Sequence, residues 1–201
     1  MDYKKITIES YNKDAKKFSK EFKAMNSIKS HRFQKFIGLL KGGKILDLGC
    51  GSGDHSLYFK QRGLDVTSID LSKEMVKLCN EKGLNALLMD IENLKFEDKL
   101  FDGVWAATSL LHIPKSKLGA VVKKLNSIIK PGGILYVSVK EGRGEKLVED
   151  KSGNTKRFFV FWCGEELKSF FEKYFVLMEI KRVQIKDIVF LNAFFRKRPS
   201  T

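Results

Sequence analysis

Apolar positions change their spacing several times along the chain. Over residues 10–40 they follow a helical repeat. Tyr11, Ala15, Phe18 and Phe22 recur on one face with lysines opposite, and Phe33, Phe36, Ile37 and Leu40 form a second stripe that stops at Gly42-Gly43. From Lys44 the pattern becomes short apolar runs alternating with helical stretches. The runs 44–48, 65–69, 85–89, 101–107 and 134–139 predict strands. The stretches 54–62, 72–82 and 114–130 predict helices, Ser72 capping the second and Gly83 ending it. The third carries Leu118, Val121, Val122, Leu125, Ile128 and Ile129 at helical spacing and is expected to end at Pro131-Gly132-Gly133. Repeated strand–helix units of this length predict an α/β fold with a parallel sheet covered on both faces.

The last third reads differently. Residues 141–156 are polar, contain Gly142, Gly144 and Gly153, and predict a mobile loop. Arg157 to Trp162 is a dense aromatic run, 164–174 reads as helix, and 176–183 and 185–195 read as two strands joined near Gln184. A link that short predicts an antiparallel hairpin. The chain reads as one domain over 1–201, in three parts: 1–41, 42–139 and 140–201.

Charge adds one distinction. The net charge of +14 lies mainly in the flanks: +7 over residues 1–41 and +5 over 140–201, against +2 between them. Basic flanks are compatible with an anionic substrate, but the lack of an arginine-rich or aromatic-interleaved basic stretch favours a plain lysine-rich surface. The first nine residues lack a leader-like apolar run, and the longest apolar stretch, 104–111, is too short to span a membrane. Cys50, Cys79 and Cys163 show no paired spacing for zinc or disulfides, which fits a reduced cytoplasm. No acid cluster predicts a metal site.

The candidate chemistry begins at Lys44-Ile-Leu-Asp-Leu-Gly-Cys-Gly-Ser-Gly-Asp-His-Ser56. A strand turning into a helix through Gly49, Gly51 and Gly53 lets a ligand lie against bare backbone. The G-x-G-x-x-G register of dinucleotide enzymes is not met, since its third glycine falls on Asp54 or Ser56. Asp47, Asp70 and Asp90 each close a successive strand, so three carboxylates converge on one sheet edge, where ligands of open α/β sheets bind. With Phe101 to Pro114 and Lys130-Pro-Gly-Gly133, these motifs resemble the class I S-adenosylmethionine (SAM) methyltransferases over about residues 10–140.

That resemblance implies a Rossmann-like, seven-stranded, mostly parallel sheet of order 3-2-1-4-5-7-6, with 1–41 as a helical lid, 42–139 as the SAM-binding half and 140–201 as the acceptor side. It implies SAM as methyl donor and S-adenosylhomocysteine as product. The cofactor would meet Asp47, Gly49, Cys50, Gly51, Gly53, Asp70, Leu71, Asp90, Ile91, Thr108 and Tyr11, with Asp70 on the ribose and Asp90 at the adenine. Tyr11 reads more readily as packed on the core. The acceptor, a small molecule, would meet Ser109, His112, Arg157 and Trp162, with Arg157 a cation for an anionic group. His112 is the histidine nearest the motifs and a candidate base, pocket-lining group or turn residue; His31 and His55 have no comparable placement. Two alternatives stand beside the small-molecule reading: a tRNA-modifying enzyme, from the basic flanks, and a non-catalytic SAM-binding subunit. Monomer and homodimer are both compatible with the sequence.

Overall fold

The computed structural model describes residues 2–25, 31–150 and 153–199, and for 22–25 the backbone only, so Phe22 of the first stripe lies outside the described side chains. β1 (Lys44–Leu48) lies inside the sheet, parallel to β2 (Asp65–Asp70) on one side and β4 (Phe101–Ala107) on the other. β3 (Ala86–Leu88) continues past β2, and β5 (Ile129–Lys140) past β4. β9 (Ile188–Lys197) runs antiparallel to β5, and β8 (Phe175–Ile185) antiparallel to β9. The resulting order, β3-β2-β1-β4-β5-β9-β8, is the expected one with a reversed last strand. The hairpin turns at Lys186-Asp187 rather than at Gln184, and Lys186 takes the left-handed φ of 54°.

Two apolar layers cover the sheet. Side chains alternate across a strand, so Leu46 and Leu48 face one layer and Ile45 the other. The first layer packs under α6 (Lys115–Ile128) and α7 (Gly164–Phe171). The second is aromatic: Phe33 and Phe36 of α3 (His31–Leu39) and Tyr58 and Phe59 of α4 (Asp54–Lys60) close over Trp105 and Tyr136, whose rings stack 3.9 Å apart. Such a pair adds about 0.5–1.5 kcal/mol beyond area burial. α5 (Lys73–Asn80) completes the central units, with the Ser72 hydroxyl accepting from the Met75 N–H as its cap.

Three expectations are corrected. The N-terminal helix starts at Tyr3, not near residue 10: Asp2 caps α1 (Tyr3–Lys13), and α2 (Ala15–Met25) follows. The run Ile6-Thr7-Ile8 hides this start, because β-branched residues are weak helix formers. Pro131-Gly132-Gly133 does not end α6; the helix stops at Ile128, and the motif forms an irregularity inside β5, where the pairing shifts between Phe101 and Gly103. The 141–156 stretch is not one loop. β6 (Glu145–Glu149) pairs antiparallel with β7 (Lys156–Val160) as a separate two-stranded sheet, and α1 lies on β7 with the Phe158 N–H donating to Thr7 Oγ1 at 3.0 Å. No helix among the described residues is long and apolar enough to cross a membrane.

Candidate functional site

The carboxyl ends of β1, β2 and β4 open into a cavity of about 140 Å³, roofed by α1. The loop after β1 forms its floor. Gly49 and Cys50 N–H groups donate to the Ile69 carbonyl at 2.9 and 2.8 Å, and the chain then turns through Gly49 at φ 73°. A Cβ on Gly49 would sit 2.4 Å from Ser109 Cβ, so only glycine lets the loop lie against the segment after β4. Gly49, Cys50, Gly51 and Ser52 line the cavity; Gly53 and Asp47, expected beside them, do not. Gly53 stands behind, packed on Cys79, where a Cβ would come within 2.5 Å of the sulfur. Asp47 is buried beneath the loop and accepts from Ser56 Oγ at 2.6 Å, while Ser56 Oγ accepts from Ser68 Oγ at 2.8 Å. Burial pushes its carboxyl up to about 7 against the Ser56 hydrogen bond.

Asp70 ends β2 in the wall. One oxygen accepts the Gly51 N–H and the other the Ser72 N–H, both at 2.9 Å. Burial raises its pKa, and the backbone donors of Ser72, Gly51 and Leu71 oppose the rise. Each oxygen keeps acceptor capacity toward the cavity, which Leu71, Ser72 and Met75 continue. Asp90 and Ile91 form the far end. There Lys4 of α1 contacts Asp90 at 2.6 Å and Glu92 at 2.9 Å, and the Tyr3 hydroxyl donates to Glu92, so α1 is latched over this end of the cavity. Asn12 adds a second latch by accepting from the Ser72 hydroxyl at 2.8 Å.

The third wall follows β4. Thr108 holds a left-handed φ of 62°, costly for a β-branched residue, fixed by its N–H donating to the Ser138 carbonyl at 3.0 Å. Ser109 lines the cavity with its buried Oγ unpartnered. His112 lines it too, but both ring nitrogens are engaged. Nδ1 lies 2.6 Å from the Phe158 carbonyl, which only accepts, so Nδ1 carries the proton. Nε2 then accepts from the Tyr11 hydroxyl at 2.8 Å. Burial, and secondarily the cations Arg157 and Lys140, push the imidazole down to about 3, with the Phe158 carbonyl opposing. A neutral imidazole whose lone pair is occupied holds the Tyr11 hydroxyl in place rather than taking a proton.

The two remaining residues expected on the acceptor side do not line the cavity. Trp162 is fully buried, stacked edge-on against Phe170 and absent from the cavity wall. Arg157 lies one layer outside the wall, donating to the Tyr11 hydroxyl at 3.3 Å with its guanidinium over Phe18 at 4.3 Å.

His55 is a wall residue that periodicity and spacing did not reveal. Trp105 Nε1–H donates to its Nδ1 at 3.1 Å, and an indole nitrogen only donates. The proton therefore sits on Nε2, which is buried and without a partner. Burial, assisted by Arg32 and opposed by Asp54, holds His55 down at about 3. The cavity thus presents a bare-backbone cradle and two strand-end carboxylates, with the Ser109 and His55 side chains in its wall; Ser109 Oγ and His55 Nε2–H are themselves buried and find no protein partner.

Residues 45–133 match the family described as a methyltransferase domain. A ubiquinone biosynthesis O-methyltransferase from Bordetella avium is 33% identical over 128 residues, 59% of this chain and 52% of the relative. Among solved structures, a SAM-dependent methyltransferase from Methanosarcina mazei superposes with a TM-score of 0.74 at 21% identity, covering 85% of this chain and 99% of that one. A Burkholderia thailandensis 1,6-didemethyltoxoflavin-N1-methyltransferase, with bound 1,6-didemethyltoxoflavin and S-adenosylhomocysteine, superposes at 0.73 with 22% identity, over 94% of this chain and 85% of that one. The chain spans about half the length of the curated relatives it matches.

Proposed function

Proceeding from a chain that has the class I SAM-dependent methyltransferase fold and a methyltransferase domain at residues 45–133, we propose that it transfers a methyl group from SAM to a small-molecule acceptor. The observation that carries this reading is the convergence of the Gly49–Ser52 backbone, Asp70, Asp90, Ser109 and His55 on one cavity. When bound, SAM supplies a methyl group already activated by its sulfonium. The chain's part is to bind and orient. Gly49 and Gly51 offer bare backbone, the free acceptor capacity of Asp70 suits a pair of ribose hydroxyls, and Ile91 offers an apolar surface beside Asp90 for a flat base. Tyr3, Lys4, Thr7, Ile8 and Tyr11 of α1 close the roof and exclude water, the lid role expected of the N-terminal segment.

Holding two reactants in near-attack geometry contributes up to about 7–11 kcal/mol in favourable systems. Nothing in this reading asks for a general base. His112 is a positioning residue for Tyr11, and the acceptor atom arrives nucleophilic. Calorimetry with SAM, S-adenosylhomocysteine and NAD tests the cofactor: the first two bind and NAD does not. An acceptor screen read by S-adenosylhomocysteine release tests the reaction, and NAD binding in place of SAM would discard the proposal.

A further inference from the structure

Resting on that reading, we propose that the methyl acceptor is an anionic small molecule whose carboxylate or phosphate binds between Lys140 and Arg157, beside the Phe159 ring. The two cations converge there. Lys140 Nζ lies 3.8 Å from the Phe159 centroid, and the Arg157 guanidinium carbon 5.3 Å from the same centroid. Among the described residues neither meets a carboxylate, whereas Lys82 pairs with Asp54, Lys115 with Glu166 and Lys130 with Asp102, at 2.8, 2.5 and 2.9 Å. The acid next to Lys140 in sequence, Glu141, is taken by Arg182 at 2.6 Å.

Two uncompensated cations in one partly buried place oppose each other and their neighbours. Burial first, and Arg157 second, pull the Lys140 ammonium down to about 8, and both cations depress His112.

The position suits an acceptor rather than the cofactor. Arg157 touches the Tyr11 hydroxyl, and Tyr11 with His112 forms the cavity wall on the β4 side. Lys140 ends β5, the strand beside β4. A molecule anchored there by its anionic group lies along Phe159 and Tyr11 with its other end at the cavity mouth. Two recessed cations among aromatic rings match one anionic group, not a polyanion, which needs an exposed basic stripe.

The test is NMR of protein carrying 13Cε-lysine, the Lys140 signal being identified by its loss in Lys140→Met. Benzoate, inorganic phosphate and neutral benzamide are titrated into SAM-free and SAM-saturated protein. The expected result is a saturable shift of the Lys140 signal with benzoate or phosphate and none with benzamide. Whichever anion acts tells a carboxylate site from a phosphate site. Arg157→Gln weakens that binding about tenfold or more, while calorimetric SAM affinity stays within about threefold of wild type. The wild-type titration decides alone if a variant does not fold. No saturable shift with either anion, equal response to benzamide, or a response to tRNA alone overturns the site. SAM failing to bind overturns the methyltransferase reading and leaves the anion titration to be judged separately.

Discussion

Asp47 carries its proton to higher pH in the folded chain than in the unfolded one, from the ordinary 3.8 to about 7. Its contribution to stability is therefore fully present below about pH 4 and is lost as pH rises to about 7. One pKa unit corresponds to about 1.4 kcal/mol, so the loss is at most about 4 kcal/mol. Asp47→Asn keeps an acceptor for Ser56 without an ionisable group. Denaturant unfolding should show the variant's stability gaining on wild type between pH 4 and 7, and parallel profiles would refute the assignment. The two cavity histidines behave differently, since both are held near 3 and stay neutral from pH 5 to 8. Imidazole 15N spectra should show a fixed Nδ1–H tautomer for His112 and Nε2–H for His55 throughout that range. Among the proposed cofactor contacts, Asp70 has most to lose. Asp70→Ala removes a charged acceptor that also braces Gly51 and Ser72, and bonds to charged groups contribute about 1.5–3 kcal/mol each. Calorimetry should find SAM affinity reduced by tenfold or more, and unchanged affinity would show that the cofactor lies elsewhere.

At the level of elements, the roof hangs on a few polar contacts. Thr7 Oγ1 accepts the Phe158 N–H and donates to the Tyr3 carbonyl. Thr7→Val leaves the Phe158 N–H without its partner, at a cost of about 1–3 kcal/mol, and hydrogen exchange across α1 should rise while β1, β4 and β5 stay protected. The first three strands were legible because each is a short apolar run closed by glycine or aspartate, a pattern set by local chemistry. The β6–β7 hairpin was not. Glu145-Lys-Leu-Val-Glu149 is more than half charged, and its place depends on α1, far away in sequence. The site divides in the same way. Gly49, Gly51, Asp70 and Asp90 could be read from strand ends, whereas His55 gains its meaning from Trp105, fifty positions on. Trp162 misled because an aromatic run looks alike whether it faces a ligand or the core; here alternation along the chain turned it into α7.

Across the whole molecule, the apolar layers and the roof are separable. The two main layers draw on α3, α4, α6, α7 and the sheet, and none of their residues comes from α1. Deleting residues 2–13 should therefore leave the sheet folded by circular dichroism while SAM affinity falls at least tenfold; loss of the fold would show that the roof is part of the core. The surplus charge is also uneven, lying in residues 1–41 and 140–201 rather than in the central stretch that holds the glycine loop. The packing of α1 on β7 also sets an order of events during synthesis. Thr7 leaves the ribosome early and its partner Phe158 some 151 residues later. At about 5–20 residues per second, α1 waits roughly 8–30 s for the strand it packs on. The glycine loop and Asp70 are made long before that, so the nascent chain holds a cradle without a roof until β7 has emerged.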